Sequence, residues 1–258
     1  MDQNELFSLH DKVAMVVGGG GVLAGEMAMG FAEAGAEVAI LDLIPQSAEE
    51  RAAAIRALGR RAVGLAVDAT SKKEIESARD TVLSTFGHID ILLNAAGINS
   101  ATPFFEISEE EWQRILDVNL KSVFLACQVF GKTMVEAGRG GSIINISSVS
   151  AGPPLSRVFT YSVTKGGVNQ ITQFLAREWA PHRVRVNAIV PGFFPAEQNR
   201  RILTSERIAS IMGHTPMNRF GEPSELVGAA IYLASERASS FVTGSVLRVD
   251  GGFLAVTI

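Results

Sequence analysis

The sequence predicts an α/β fold in which one parallel sheet of seven strands carries helices on both of its faces. Short runs of β-branched and aliphatic residues recur along the chain, and each is followed by a longer segment with helical periodicity. The strand runs are almost continuously apolar, which is typical of a sheet that helices cover on both sides. Because no linker, repeat or shift of composition interrupts the 258 residues, we expect a single domain over residues 1–258.

The order of the elements predicts a doubly wound sheet of the Rossmann type, since βα units that alternate at this length build parallel sheets with right-handed crossovers. The predicted strands are residues 13–17, 37–41, 62–67, 89–93, 142–146, 183–189 and 245–249. The predicted helices lie near 24–34, 46–58, 71–86, 108–137, 160–180 and 223–234, and we expect the fourth segment to contain two successive helices. The mostly polar stretch 192–222 is longer than a βα connection requires, so it is predicted to be a substrate loop or lid.

Composition and charge exclude several classes of function. The formal net charge is −4 and the basic residues are scattered, so no surface for nucleic acid is predicted. Residues 1–11 contain no long apolar run, which argues against a secretory signal or membrane anchor and favours the cytoplasm. The histidines follow no ligand spacing, so no metal site is expected. The one cysteine, Cys127, lies in an apolar run and is expected to be an inert buried thiol in a reducing compartment.

A glycine-rich run directly after the first strand is a candidate binding site for a dinucleotide. Gly18, Gly20 and Gly21 are followed by Val22 and Leu23, which open the next helix. Backbone N–H groups and a helix N-terminus in this arrangement can hold a pyrophosphate, although a tight turn without any ligand has the same composition.

Asp42 ends the second strand, about twenty residues further on, where a carboxylate can accept hydrogen bonds from a ribose 2′-hydroxyl. A merely solvated strand end is the alternative. NADP would place a phosphate at this position, and two negative charges about 4 Å apart repel by about 4 kcal/mol at an effective dielectric constant of about 20, a factor of several hundred in affinity. The residues that follow, Leu43, Ile44 and Pro45, bring no positive charge, so the sequence predicts NAD.

A tyrosine and a lysine four residues apart form a candidate catalytic pair. Tyr161 begins a predicted helix, and Lys165 lies on the same face of it. An ammonium group about 5 Å from a phenol stabilises the phenolate by roughly 3 kcal/mol, so we expect the pKa of Tyr161 to lie below its ordinary value. The other tyrosine, Tyr232, lies in an apolar run and is expected in the core. Because this spacing is common by chance, the surrounding residues decide its meaning.

Further motifs, in order and at matching separations, make residues 11–253 resemble the short-chain dehydrogenase/reductase family. They are Asp68 after strand three, Asn94 to Gly97 after strand four, Asn119, Ser148 thirteen residues before Tyr161, Lys165, and Asn187 to Gly192. The glycine loop departs from the family's Thr-Gly-x-x-x-Gly-x-Gly pattern, since the aligned residues are Val17, Gly18, Val22 and Ala24. The threonine that often follows Pro-Gly in the family is replaced by phenylalanine.

The resemblance implies a role for each matching residue in an NAD-linked dehydrogenase of alcohol groups. Tyr161 would exchange a proton with the substrate oxygen, and Ser148 would hydrogen-bond that oxygen. Lys165 would lower the pKa of Tyr161 and bind the nicotinamide ribose, and Asn119 would hold a water molecule that connects Lys165 to solvent. The other implied cofactor positions are Asp68 and Ala69 at the adenine, Asn94 beside the central strands, and Ala95, Gly97, Pro191, Gly192 and Phe194.

The polar stretch after Gly192 favours a small polyhydroxylated and carboxylated substrate, such as a sugar acid. Glu197 and His214 can pair with hydroxyl groups, and the candidates for a carboxylate are Arg157, Arg200 and Arg201. A solvated surface would also be polar. Parts of the loop are similar to the mannonate (fructuronate) oxidoreductase-like or gluconate dehydrogenase-like branch of the family.

The same resemblance implies a homotetramer. The helices at 108–137 and 160–180 would pair across one axis, and residues 250–258 would pack across another, because a monomer would expose their apolar side chains. Two other functions stay open. One is a 3-oxoacyl reductase of the same family, which usually prefers NADPH and carries a basic patch for its acyl carrier. The other is a non-catalytic NAD-binding redox sensor, which the loss of the tyrosine, lysine or serine would favour.

Overall fold

The computed structural model describes residues 3–195 and 204–255, and within these ranges the chain forms one parallel sheet. Its strands are β1 (Val13–Val17), β2 (Glu37–Asp42), β3 (Ala62–Ala66), β4 (Ile91–Asn94), β5 (Gly141–Ile146), β6 (Val184–Pro191) and β7 (Val246–Val249). The seven strands lie in the order β3-β2-β1-β4-β5-β6-β7. The predicted doubly wound fold is confirmed, and every strand ends within about two residues of its predicted bounds.

Helices connect the strands along both faces of the sheet. They are α1 (Gln3–Leu6), α2 (Val22–Glu33), α3 (Pro45–Ala57), α4 (Lys72–Phe86), α5 (Glu109–Leu116), α6 (Ser122–Ala126), α7 (Lys132–Ala137), α8 (Phe159–Trp179), α9 (Ser205–His214), α10 (Val227–Ala234) and α11 (Glu236–Ser239). In the described ranges, no helix is long and apolar enough to cross a bilayer.

The prediction of two successive helices within 108–137 is wrong. Two π-helical turns, Asp117–Lys121 and Cys127–Gly131, join α5, α6 and α7 into one uninterrupted helical segment. The residues at each junction keep right-handed helical backbone angles, so the chain never leaves the helix. Each π turn inserts an extra residue locally, a feature that is frequent at functional sites.

Helix α9 lies inside the stretch 192–222, for which the sequence predicts a loop or lid. Thr204 caps it, since its side chain accepts a hydrogen bond from the backbone N–H of Arg207. Ile211 is its buried residue. The helix was not predicted because such a short segment with so little apolar surface has a weak periodic signal.

Two main hydrophobic clusters cover the two faces of the sheet. One includes Met27 and Phe31 of α2 and Ile55 of α3. The other includes Val82 of α4 and Val168 of α8. Burial raises the pKa of the Cys127 thiol, in the second cluster, to about 12, which agrees with the expected inert cysteine.

A third, smaller cluster lies at the carboxyl end of β6. Phe253 is buried there with Val149 and Val190, and Leu155 and Phe193 pack against them. The expectation that Phe253 belongs to an exposed apolar ending is therefore wrong, because the chain covers this side chain itself. Residues 256–258 lie outside the described ranges.

Candidate active site

The candidate site lies along the carboxyl edge of the sheet. β2 ends at Asp42, β4 ends at Asn94, β6 ends at Pro191, and Ser148 follows β5. These strands are parallel, so their carboxyl ends share one edge. The order of connection reverses between β1 and β4, and doubly wound folds bind ligands at such a reversal.

The loop between β1 and α2 is shaped for close approach of a ligand to the backbone. Gly18 has a φ of +76°, and a Cβ atom at this position would lie 2.8 Å from the Cα atom of Ala96. A Cβ atom at Gly20 would lie 2.8 Å from the Oδ2 atom of Asp42. Gly21 is the N-cap of α2, and no side chain of the described residues caps that terminus. The N–H groups of Val22 and Leu23 thus lie at an uncapped helix N-terminus, which fits a pyrophosphate.

The carboxylate of Asp42 is held beside this loop by two backbone donors. The N–H group of Gly20 donates to Oδ2 at 3.0 Å, and the N–H group of Ile44 donates to Oδ1 at 3.0 Å. Each oxygen keeps a further lone pair for a ribose hydroxyl. The structure also places a cation in this region, since the Arg51 guanidinium lies against Gly25 at the start of α2. The order of residues in the sequence does not reveal this contact.

Asp68 and Asn94 occupy different environments. The Oδ1 atom of Asp68 accepts hydrogen bonds from the backbone N–H and the hydroxyl of Thr70, which shapes the turn after β3. Ala69, the other implied adenine contact, is partly buried in this turn. Asn94 is buried and donates from Nδ2 to the Oδ1 atom of Asn145 at 2.8 Å, which joins β4 to β5. Its own Oδ1 atom has no hydrogen-bond partner among the described residues.

Tyr161 and Lys165 lie in the first turns of α8 and face each other. The Nζ atom of Lys165 lies 5.5 Å from the centre of the Tyr161 ring and donates to the backbone oxygen of Ile146 at 2.7 Å. Burial lowers the pKa of Lys165 to about 8, so the side chain is mostly cationic at neutral pH. A Cβ atom at Gly97 would lie 3.8 Å from this Nζ atom, which places the motif after β4 beside the pair.

The expected lowering of the Tyr161 pKa is wrong. Burial raises the pKa of Tyr161, and the Ser148 hydroxyl opposes this by a smaller amount. Proximity to Lys165 favours the phenolate, but placing a phenolate away from water costs free energy, and that cost depends on burial. The lowering cause is a hydrogen bond between the Ser148 and Tyr161 side chains, so the two groups are neighbours.

Ser148 is the N-cap of the short 3₁₀ turn Val149–Ala151. Its side chain is held by Ser150, a residue that the sequence did not suggest. The backbone N–H of Ser150 donates to the Oγ atom of Ser148 at 3.2 Å, and the Ser150 hydroxyl donates to the same atom at 3.1 Å. Both serines are buried. The turn packs against α8, which carries Tyr161.

Asn119 lies in the first π turn and is fully buried. Its Oδ1 atom accepts from the backbone N–H of Ile98 at 2.8 Å, and its Nδ2 atom donates to the Ile98 oxygen at 2.9 Å. Nδ2 also donates to the Thr164 hydroxyl at 3.3 Å. The Asn119 side chain therefore ties the segment after β4 to the residue that precedes Lys165.

Gly192 and Phe194 follow β6 at the same edge. The N–H of Gly192 donates to the Val249 oxygen at 3.0 Å, and a Cβ atom at Gly192 would lie 2.8 Å from the Cα atom of Asp250. The Phe194 ring contacts Gly221 and packs on the first hydrophobic cluster. The backbone of Phe194, rather than its ring, can therefore take the place of the threonine that often follows Pro-Gly in the family.

Of the five predicted substrate residues, the structure describes Arg157 and His214. Glu197, Arg200 and Arg201 lie outside the described residues. Arg157 is exposed, with a φ of +69°, and His214 is exposed at the end of α9, 5.3 Å from the Phe253 ring centre.

Helix α9 presents a further arginine, which sequence analysis missed. The Nη1 atom of Arg207 donates to the Ser156 hydroxyl at 2.9 Å, and Ser156 lies in the segment between Ser148 and Tyr161. Within the described ranges, Arg207 forms no ion pair with an acid. The guanidinium consequently keeps donors for a ligand anion.

Comparisons with known proteins agree with this geometry. A family model described as "Enoyl-(Acyl carrier protein) reductase" matches residues 21–254. The chain is 38% identical over 250 residues to the 2-dehydro-3-deoxy-D-gluconate 5-dehydrogenase of Escherichia coli (strain K12), covering 96% of this chain and 98% of that protein.

Two solved structures superimpose closely on the fold. A protein assigned as a D-mannonate oxidoreductase from Haemophilus influenza, with bound NAD, has a TM-score of 0.94 and 34% identity, with 99% of each chain covered. A gluconate 5-dehydrogenase from Burkholderia cenocepacia J2315, in complex with NADP and tartrate, has a TM-score of 0.94 and 33% identity, with 99% of this chain and 100% of that chain covered.

Proposed function

The chain belongs to the short-chain dehydrogenase/reductase family, and from this premise we propose that it is an NAD-dependent dehydrogenase of a sugar acid, working as a single domain. The observation that carries the proposal is the juxtaposition of Ser148, Tyr161 and Lys165 at the carboxyl edge of the sheet. Bound nicotinamide would accept or donate the hydride, which no side chain can supply. The chain's own residues supply position, proton exchange and charge stabilisation.

The proton passes between Tyr161 and the substrate oxygen. In oxidation the Tyr161 oxygen takes the proton of the substrate hydroxyl, and in reduction the phenol returns a proton to the carbonyl oxygen. The Ser148 hydroxyl donates a hydrogen bond to the same oxygen and stabilises the negative charge that develops there. The Lys165 cation favours the phenolate form of Tyr161 during the exchange.

The cofactor would lie along the carboxyl edge from Asp42 to Gly192. The glycine loop and the N-terminus of α2 would hold its pyrophosphate, and Asp42 would hold the adenine ribose. Asp68 and Ala69 would flank the adenine, and Lys165 would bind the nicotinamide ribose. Asp42 supports NAD rather than NADP, because its charge would face the additional phosphate.

Relatives and charge together support a sugar acid as the substrate. The relatives named above carry the names of a gluconate 5-dehydrogenase, a D-mannonate oxidoreductase and a 2-dehydro-3-deoxy-D-gluconate 5-dehydrogenase. Arg207 lies beside the segment that leads to Tyr161, with donors free for a carboxylate. Arg157, Arg200, Arg201, Glu197 and His214 remain proposed contacts for the same substrate.

A paired substrate panel tests this proposal. Purified enzyme and NAD are assayed with gluconate against sorbitol and with mannonate against mannitol, because each pair differs mainly by one carboxylate. Since charge-assisted hydrogen bonds are worth about 1.5–3 kcal/mol, we expect the acids to be preferred by about tenfold or more in kcat/KM. A preference for neutral polyols would contradict the sugar-acid assignment. Faster turnover of acetoacetyl thioesters with NADPH would support the 3-oxoacyl reductase alternative.

Arg207→Ala is expected to raise KM for the preferred acid by about tenfold, because one charge-assisted contact to the carboxylate is lost. KM for the matched polyol should change much less. Arg177→Ala is the control, since Arg177 is exposed on α8. Arg157→Ala, Arg200→Ala and Arg201→Ala are measured in parallel, and equal losses on acid and polyol in every variant would argue against a carboxylate role for all four arginines.

We also propose that the protein forms a homotetramer. Phe124 of α6 and Phe174 of α8 are 49% and 63% exposed, and Val163 of α8 is exposed as well. Such apolar side chains on two long neighbouring helical segments suit an interface between copies. We expect a tetrameric mass by light scattering at micromolar concentration, and a smaller mass for Phe174→Glu. A monomeric parent would refute the proposal.

A further inference from the structure

Ser150 contacts the proposed substrate-binding hydroxyl of Ser148 in two ways. Its backbone N–H and its side-chain hydroxyl both donate to the Oγ atom of Ser148, at 3.2 and 3.1 Å. The side chain of Ser150 is almost completely buried, with 1% of its surface exposed. Ser150 lies in the 3₁₀ turn Val149–Ala151, of which Ser148 is the N-cap.

The two contacts determine what the Ser148 hydroxyl can do. A serine oxygen has two acceptor lone pairs and one proton. Because both donors on Oγ come from Ser150, the lone pairs are occupied and only the proton of Ser148 remains for another partner. We propose that Ser150 is a positioning residue that holds Ser148 as a hydrogen-bond donor, toward the substrate oxygen in the complex and toward the Tyr161 oxygen otherwise. The inference rests on the proposed roles of Ser148 and Tyr161.

The arrangement also keeps the Tyr161 proton available. If Ser148 accepts no further hydrogen bond, the Tyr161 hydroxyl cannot donate to it and stays free for the substrate oxygen. Ser148 lowers the pKa of Tyr161, as a hydrogen-bond donor to the phenolate does. The cation over the Tyr161 ring is Lys165, and its Nζ atom is held by the backbone oxygen of Ile146.

Ser150→Ala keeps the backbone contact but frees one lone pair of Ser148. Tyr161 can then donate to that lone pair, which favours the neutral phenol and misdirects both hydroxyls. We expect kcat with the best substrate of the panel to fall by about tenfold, less than the 10² to 10³ that loss of an oxyanion donor itself costs. KM should change little, and Ser150→Thr, which keeps a hydroxyl, should restore most of the activity.

Ser142→Ala is the matched control. Ser142 is 2% exposed, and its hydroxyl donates to the Leu233 oxygen at 2.7 Å, at the opposite end of β5. The control also loses one buried serine hydroxyl, so it should lose stability without the loss of kcat. If Ser150→Ala does not fold, Ser150→Cys takes its place, because a thiol of similar shape is only a weak donor.

Two further measurements separate positioning from a merely structural role. In a Ser148→Ala background, Ser150→Ala should cause no further loss of kcat, because its effect passes through Ser148. In a Tyr232→Phe background, where Tyr161 is the only tyrosine left, ultraviolet titration of the tyrosinate should give a higher Tyr161 pKa for Ser150→Ala and an unchanged one for Ser142→Ala.

Each of these results either supports or overturns the positioning role of Ser150. Additive losses of kcat in the double variant would overturn the positioning role, and so would an unchanged Tyr161 pKa together with a normal kcat in Ser150→Ala. In either case a strong loss of kcat in Ser148→Ala would leave the proposed function standing. A fully active Ser148→Ala enzyme would overturn both.

Discussion

Tyr161→Phe should lower kcat by roughly 10² to 10⁴, because the substitution removes the only hydroxyl proposed to exchange a proton with the substrate oxygen. Binding of NADH should stay within a few-fold of the parent, since the lost group is the proton carrier and not a major cofactor contact. Steady-state kinetics with the preferred sugar acid and a fluorescence titration with NADH measure the two quantities separately.

Tyr232→Phe is the matched control for this experiment. Tyr232 is the only other tyrosine of the chain, and it lies in α10, packed on the first hydrophobic cluster. Its variant should keep normal kcat. If Tyr161→Phe retains more than about a tenth of the parental kcat, Tyr161 is not the proton-transfer group, because general acid–base catalysis is worth far more than that.

The second large effect concerns the choice between NAD and NADP. The parent enzyme should prefer NAD by more than about a hundredfold in kcat/KM, since a phosphate beside the Asp42 carboxylate costs about 4 kcal/mol. Asp42→Ser removes this charge and the bulk next to Gly20, and the ratio should shrink strongly. Kinetics with both cofactors at saturating sugar acid provide the ratio.

Asp68→Asn controls for a general change of charge near the cofactor. It removes one negative charge after β3, where Asp68 bonds Thr70, so it should affect NAD and NADP alike and leave their ratio within a few-fold. Equal use of both cofactors by the parent would show that Asp42 does not discriminate. Arg51 beside Gly25 is then the cation to substitute next, because a guanidinium there could offset the repulsion.

The sequence contained enough local information to predict the sheet and the outline of the site. Buried parallel strands are recognisable as short apolar runs, so β1 to β7 were located within about two residues. The four-residue spacing of Tyr161 and Lys165 placed both on one face of a helix, because helical geometry follows from spacing alone. The alternation of strands and helices also determined which strand ends share an edge with Asp42 and Asn94.

Only the tertiary structure decided the contacts between segments. The bond from Arg207 to Ser156 joins residues 51 positions apart, and the approach of Arg51 to Gly25 crosses from α3 to α2. The two hydrogen bonds from Ser150 to Ser148 depend on the local turn, which no periodicity encodes.

The pKa of Tyr161 shows most directly why the sequence alone could not predict the effects of packing. The sequence revealed the nearby Lys165 and from it predicted a lowered pKa, whereas burial, which raises the pKa of Tyr161, depends on how α8 packs against the rest of the chain. Residue type and spacing determine which groups can interact. The balance between desolvation and attraction is decided by packing, because both depend on how much water the folded chain excludes.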